Sequence, residues 1–291
     1  MISTLRRRLA DPSLVAQLYA LAAGAQASAA VSLSIELGQR ATDWLAALPA
    51  EAPFWYQAQP AQGSYRLGIG HALQVSSAGT NRFAALDNAF AGLRDIWRHN
   101  GPALALCGFA FDENSQADLP NALLAIPAIL LEARNGRCQA TLSTTAGRIA
   151  QAATGWLNLL ASPARGADYR QLPAGDNVLA NHAWIARVRA ALRDIEHGKV
   201  DKVVLARSRH LAADRPISAG RLLAALNEQQ PDSMIYAFGA GPQTFLGATP
   251  ERLVSLAGRY LSADALAGTA WPGSLDLDAP KNRHEQALVT K

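Results

Sequence analysis

Lysine is scarce in this chain, which makes one position worth following. Of 27 basic residues, only Lys199, Lys202, Lys281 and Lys291 are lysines; the rest are arginines. Arginine keeps its proton inside a protein, whereas a desolvated lysine can give it up. Lys202, near the head of "DKVVLARSRH" (201–210), is therefore a candidate for chemistry that needs a removable proton. A strand-end lysine reaching along its stem to water would account for the same residue. Two carboxylates also stand in otherwise apolar stretches. Glu251 follows Pro250 in "FLGATPERL", where the fixed proline φ sets the direction of the carboxylate; a surface turn residue is the plainer account. Glu285 has Lys281 at i−4 and His284 beside it, the spacing of an ordinary helix ion pair. Spacing alone does not unite the three, because they fall on different elements.

Those elements can be read from periodicity. Val203, Val204 and Leu205 form a buried-strand run, so Lys202 is expected to head a core strand. "VSLSIELG" alternates from Val31 to Leu37, and "PFWYQAQ", "SYRLGIGHALQV" and "ALALCGFAFD" read as further strands. Asn135-Gly136 marks a tight hairpin turn in "LLEARNGRCQATL". Three helical faces stand out: Phe83, Leu86, Phe90, Leu93 and Trp97; Trp184, Val188, Leu192 and Ile195, stopped by Gly198; and Leu222, Leu223 and Leu226. Residues 161–177 read as a loop between two portions. A strand at 233–239 and a meander of short strands turning at Thr249-Pro250 and Ala257-Gly258 follow. Asp278 as N-cap and Pro280 in the first turn begin a last helix, which runs into Lys291 with no stop signal and reads as cut within a helix. Hairpin-joined strands with helices packed outside predict an α+β class with antiparallel sheets.

Composition narrows the class. The length of 291 residues suits one large core or two domains, and 49% hydrophobic with 17% charged residues describes a folded globular protein. A net charge of +4 with scattered basic residues gives nucleic-acid binding no support. Cys107 and Cys138 sit in apolar runs without a CxxC, as buried free thiols of a reducing compartment would. Asp11 and Pro12 interrupt the basic-then-apolar N-terminus, which favours an amphipathic first helix over a signal peptide. No apolar run is long enough to span a membrane, so the cytoplasm is the default location. "HEQAL" has Leu288 where a zinc-binding HExxH needs histidine, "RLGIGHAL" lacks the third glycine of a dinucleotide fingerprint, and there is no P-loop.

Three blocks in order carry a resemblance: "DKVVLARSRH", "FLGATPERLVSLAGRYLSADALAGTA" and "DAPKNRHEQALV". Together they resemble the core of the chorismate-utilising enzymes, a family that includes isochorismate synthase, salicylate synthase, anthranilate synthase component I and aminodeoxychorismate synthase component I. The likeness is specific from Lys199 to Lys291 and diffuse before it. It implies two stacked antiparallel sheets with helices outside, residues 1–170 forming the N-terminal portion and 171–291 an incomplete start of the catalytic portion. It also implies roles. Lys202 would be the base that activates water, and Glu251 the acid that helps the 4-hydroxyl of chorismate depart. Gly268 and Thr269 would line the carboxylate end of the pocket, and Glu285 would ligate Mg²⁺. The residue types agree, since water attack at C2 with hydroxide loss from C4 needs one group without its proton and one with it. A carboxylate suits the hard Mg²⁺ ion.

Within the family, Lys202 points to the members that use water, because the ammonia users lack it. Ala267 stands where aminodeoxychorismate synthases carry a nucleophilic lysine. Isochorismate synthase is the leading expectation, serving menaquinone or siderophore synthesis, with salicylate synthase next. A non-catalytic relative or interaction protein on the same scaffold is the expectation from another class. Family members continue through C-terminal strands that bring a second metal-binding glutamate, so this chain by itself is expected to be inactive. Chorismate is the implied small-molecule partner, with neither nucleic acid nor membrane.

Overall fold

The computed structural model of the chain describes residues 2–39, 45–115, 117, 119–161, 169–172, 178–268 and 279–290. In chain order, the elements up to the first long loop are α1 (Ile2–Leu9), α2 (Pro12–Leu21), β1 (Ala30–Gln39), β2 (Phe54–Gln59), β3 (Ser64–Ser77), α3 (Arg82–Ile96), β4 (Arg98–His99), β5 (Leu106–Phe109), β6 (Ala122–Arg134), β7 (Arg137–Thr145) and α4 (Ile149–Ala161). There follow α5 (Val178–Glu196), α6 (Ala219–Gln229), β8 (Met234–Ala240), β9 (Gln243–Thr249), β10 (Ser255–Ala257), β11 (Tyr260–Ser262) and α7 (Pro280–Val289). Two compact units form, Met1–Gly166 with Ser218–Pro250, and Ala167–Ile217 with Glu251–Lys291. Although α6, β8 and β9 follow residue 171 in sequence, they belong to the first unit.

In that unit the alternating stretches become a nine-stranded sheet, ordered β4-β1-β7-β6-β3-β2-β8-β9 with β5 also on β6. Every pairing is antiparallel except β1 with the two-residue β4. The β6–β7 hairpin turns at Asn135 and Gly136, both with positive φ (53° and 77°), as the Asn-Gly pair predicts. β6 is buried over almost its whole length because it faces apolar layers on both sides. Ile129, Leu131 and Ala133 join the main core under α1, α2, α4 and α6, which contribute Leu5, Leu18, Trp156 and Leu223. Residues of the other parity, Ala122, Leu124 and Ile126, lie in smaller clusters with Phe90 and Leu93 of α3.

The long β3–β6 ladder slips register between His71 and Leu73, opposite Pro127, which has no N–H to give. Gly70 makes the bend possible. Its φ is +61° and Leu159 of α4 packs where a Cβ would sit, 2.8 Å away, so no other residue fits without displacement. Beside the bend, Trp55 Nε1 donates to His71 Nε2 at 3.2 Å, and His71 Nδ1 meets Gln74 Oε1 at 2.6 Å. That pattern assigns the proton to Nδ1 and keeps the ring neutral. Burial lowers the His71 pKa from its ordinary 6.5, against the Gln74 hydrogen bond, which raises it.

Several expectations change at this level. The first helix is two, broken where Asp11 caps α2 by accepting from Ser13 N at 2.9 Å. α4 and β4 carry no strong sequence signal, and the predicted strand at "ALALCGFAFD" shrinks to four residues. Neither cysteine is in a disulfide, but only Cys138 is buried; Cys107 is exposed on the alternating strand β5. Among the described residues no helix is long and apolar enough to cross a membrane.

Two measurements check this description. Leu131, fully buried and paired with Leu67 and Ala140, should cost about 2–5 kcal/mol on replacement by alanine. Denaturant unfolding of Leu131→Ala reads this directly, and a loss below about 1 kcal/mol would contradict a doubly buried β6. His71 binds a proton more readily unfolded than folded, so stability should be flat above pH 6.5 and fall as the pH drops from there towards the lowered folded pKa. Melting curves from pH 7.5 to 5 should fall more steeply for the parent than for His71→Gln; parallel curves would show that His71 is not the group responsible.

Candidate functional site

The candidate site residues all fall in the second unit, and one short hairpin organises most of them. β10 and β11 pair in register Ser255↔Ser262 to Ala257↔Tyr260, closed by Gly258 at φ +62°. Just outside the ladder, Asp264 clamps Arg252. Arg252 donates its backbone N–H to Asp264 Oδ2 and its Nη2 to Oδ1, both at 2.9 Å, while Asp264 N returns a bond to Arg252 O at 3.3 Å. The Arg252 backbone N–H, and then its guanidinium hydrogen bond, hold the Asp264 carboxyl below its ordinary 3.8. Glu251 is the neighbour of this clamp and is exposed.

From Asp264 the chain runs to the "LAGT" segment and against α7. Gln286 Nε2 donates to Ala265 O at 2.9 Å. Gly268 adopts φ +82°, and a Cβ there would lie 3.3 Å from Asn282 Oδ1, so a glycine suits both the backbone and the close approach. Glu285, half-buried, lies beside Gln286 on α7. The elements bearing Glu251, Gly268 and Glu285 are thus tied by three contacts: Arg252–Asp264, Ala265–Gln286 and Gly268–Asn282. Thr269 lies outside the described residues, as do Asp278, Lys291 and the Lys281 side chain. The helix cap is Ala279, with Pro280 in the first turn as expected.

Lys202 is placed differently from the sequence expectation. Residues 201–210 form no strand, and Val203, Val204 and Leu205 are 45%, 82% and 37% exposed. A strand exists only through its ladder, and among the described residues this segment has no neighbouring strand. It is held instead by Arg207, which donates to Asn181 Oδ1 at 2.9 Å and lies over the Trp184 ring of α5. Further on, 170–172 pairs with 212–214 through Leu172 N to Ala212 O (2.8 Å) and Arg170 N to Asp214 Oδ1 (2.7 Å). Lys202 itself is exposed, and no hydrogen bond or ion pair joins it to Glu251 or Glu285 among the described residues. α5 carries the predicted apolar stripe and its Gly198 stop, but none of its residues is buried.

Arg252, Asp264, Asn282 and Gln286 were not among the residues picked out in sequence. A signal for the first two existed: opposite charges within one residue of the register that a Gly258 turn would impose. Among the described residues no group of three or more His, Cys, Asp or Glu side chains could hold a metal ion. The Glu285 carboxylate is a hard oxygen donor of the kind that suits Mg²⁺. The first unit has its own cavity of about 610 Å³, lined by Trp55, Phe109, Phe111, Tyr236, Phe238 and Phe245 among others. None of the described candidate residues, Lys202, Glu251, Gly268 and Glu285, lines it.

Comparison with known proteins agrees with the block pattern. The "Salicylate biosynthesis isochorismate synthase" of Pseudomonas aeruginosa is 31% identical over 83% of this chain and 56% of its own length. The isochorismate synthase MenF of Bacillus subtilis is 36% identical over 30% of this chain. The structure of MenF, the menaquinone-specific isochorismate synthase from Escherichia coli, superposes with a TM-score of 0.64 at 21% identity, covering 99% of this chain and 63% of that one. The chain thus spans little more than half the length of the P. aeruginosa relative, and its fold is that of MenF. A family model described as chorismate binding enzyme matches residues 17–291, and this chain belongs to the chorismate-binding enzymes.

Proposed function

We propose that the protein is an isochorismate synthase, acting on free chorismate in the cytoplasm. The observation that carries this reading is Lys202, in a chain of a chorismate-binding family that writes all but four of its 27 basic residues as arginine. Water adds at C2 of chorismate as the hydroxyl leaves C4, so the product is an isomer. The attacking water gives its proton to Lys202 Nζ, and Glu251 gives a proton to the departing hydroxyl, which leaves as water. Both groups reset by exchange with solvent. Lys202 is exposed in the structure; in this reading the bound substrate covers it. Glu285 would hold Mg²⁺, and the ion supplies positive charge that anchors the substrate carboxylate. Gly268 and Thr269 would line the carboxylate end of the pocket, as the family resemblance implies, and a glycine there would leave room for it. The names of the relatives support the reaction class.

In a protein that also carries the region its relatives have beyond this chain, Lys202→Ala should lower isochorismate formation by about 10²- to 10⁴-fold, the usual worth of a general base, while chorismate still binds. Lys202→Arg should not restore it. An active arginine variant would mean that the position supplies charge alone. Glu251→Gln keeps the shape and hydrogen bonding of the side chain but has no proton to deliver. Turnover should fall far more than apparent chorismate affinity changes; the reverse pattern would make Glu251 a binding residue.

A further inference from the structure

We infer that Asp264 is a positioning residue for Glu251, acting through Arg252; the inference rests on the reading of Glu251 as the acid. The peptide plane between Glu251 and Arg252 is held from two sides. Pro250 restricts the backbone before Glu251. After it, the Arg252 N–H belongs to the same peptide as the Glu251 carbonyl, and it is anchored on Asp264 Oδ2 at 2.9 Å. The guanidinium bond to Oδ1 at 2.9 Å and the return bond from Asp264 N to Arg252 O make the junction a three-point clamp. The first bond falls on the Glu251–Arg252 peptide itself, and the other two hold the Arg252 side chain and carbonyl to the same residue.

Asp264 also has a second attachment. The next residue, Ala265, accepts from Gln286 of α7 at 2.9 Å, one position from Glu285. Asp264 is therefore the node at which the backbone carrying the acid meets the helix carrying the proposed metal ligand. Its carboxylate touches neither substrate nor metal in this account. Its effect is on where Glu251 points, and proton transfer depends steeply on that geometry.

The test is a double-mutant cycle with chorismate and Mg²⁺ in the purified protein that also carries the region the relatives have beyond this chain. Asp264→Ala should lower kcat by roughly 10²-fold, the scale of a misplaced catalytic group, with chorismate KM changed only a few-fold. In the Glu251→Gln background the same substitution should cost almost nothing more, since there is no longer an acid to misplace. Additive losses, an effect carried by KM, or an unchanged kcat would each overturn the inference. Should Asp264→Ala fail to fold by circular dichroism, Arg252→Lys takes its place. That variant keeps the charge and the backbone N–H but removes the guanidinium arm, and the same loss of additivity is expected. A Glu251→Gln protein with full turnover would sink the acid assignment and this inference together. A slow Glu251→Gln protein with additive Asp264 losses sinks the inference only.

Discussion

Burial of β6 on both of its faces is the constraint from which the first unit follows. A strand with one wet face can alternate; β6 cannot, and its sequence is a nearly unbroken apolar run from Ala122 to Leu131. That run needs cover on each side, which α4 and its neighbours provide on one face and α3 on the other. It also needs partners for its backbone. β3 lies along its full length, while β7 and β5 divide the other edge between Ile129–Arg134 and Ala122–Ala125. Pro127 falls near that division, where β3 is bulged and no N–H is needed. The bulge, Gly70 and the helix packed over it are one adjustment to one proline.

Legibility in the sequence depended on whether an element's environment was local. Val31–Leu37 alternates because β1 has one face in the core, and Asn135-Gly136 names its own turn. The α3 face was visible because its apolar side chains are large. α4 was missed because part of its buried face is Ala152, with Gly155 nearby, and small residues give a weak period. The segment 201–210 failed for another reason. A hydrophobic run states that a strand is possible, whereas the ladder partner that makes it a strand lies elsewhere in the chain. The α5 stripe was legible as a helical face, but that none of its residues is buried was not, since periodicity reports a face and not what meets it.

The site shows the same division. Lys202, Glu251 and Glu285 were picked out as candidates because their residue types stood out in apolar or arginine-rich surroundings and because three blocks matched a family. The clamp beside Glu251 was not, because Arg252 and Asp264 are ordinary charged residues whose meaning comes from a hairpin only six residues wide in its paired part. Candidates for chemistry stood out by type; the contacts beside them are visible only once the backbone is folded.

The pairing of β2 with β8 has a consequence for synthesis. Gln57 and Met234, in contact through the Gln57 Nε2–Sδ hydrogen bond, are 177 residues apart in sequence. A ribosome adding about 5–20 residues per second needs on the order of ten to thirty-five seconds to cover that distance. During that time β1 through β7 can already assemble, leaving β2 with an open row of N–H and C=O groups. The nascent polypeptide therefore passes through a state with a sticky border, and chaperone capture or slow codons in the intervening stretch would be felt at β2 before anywhere else.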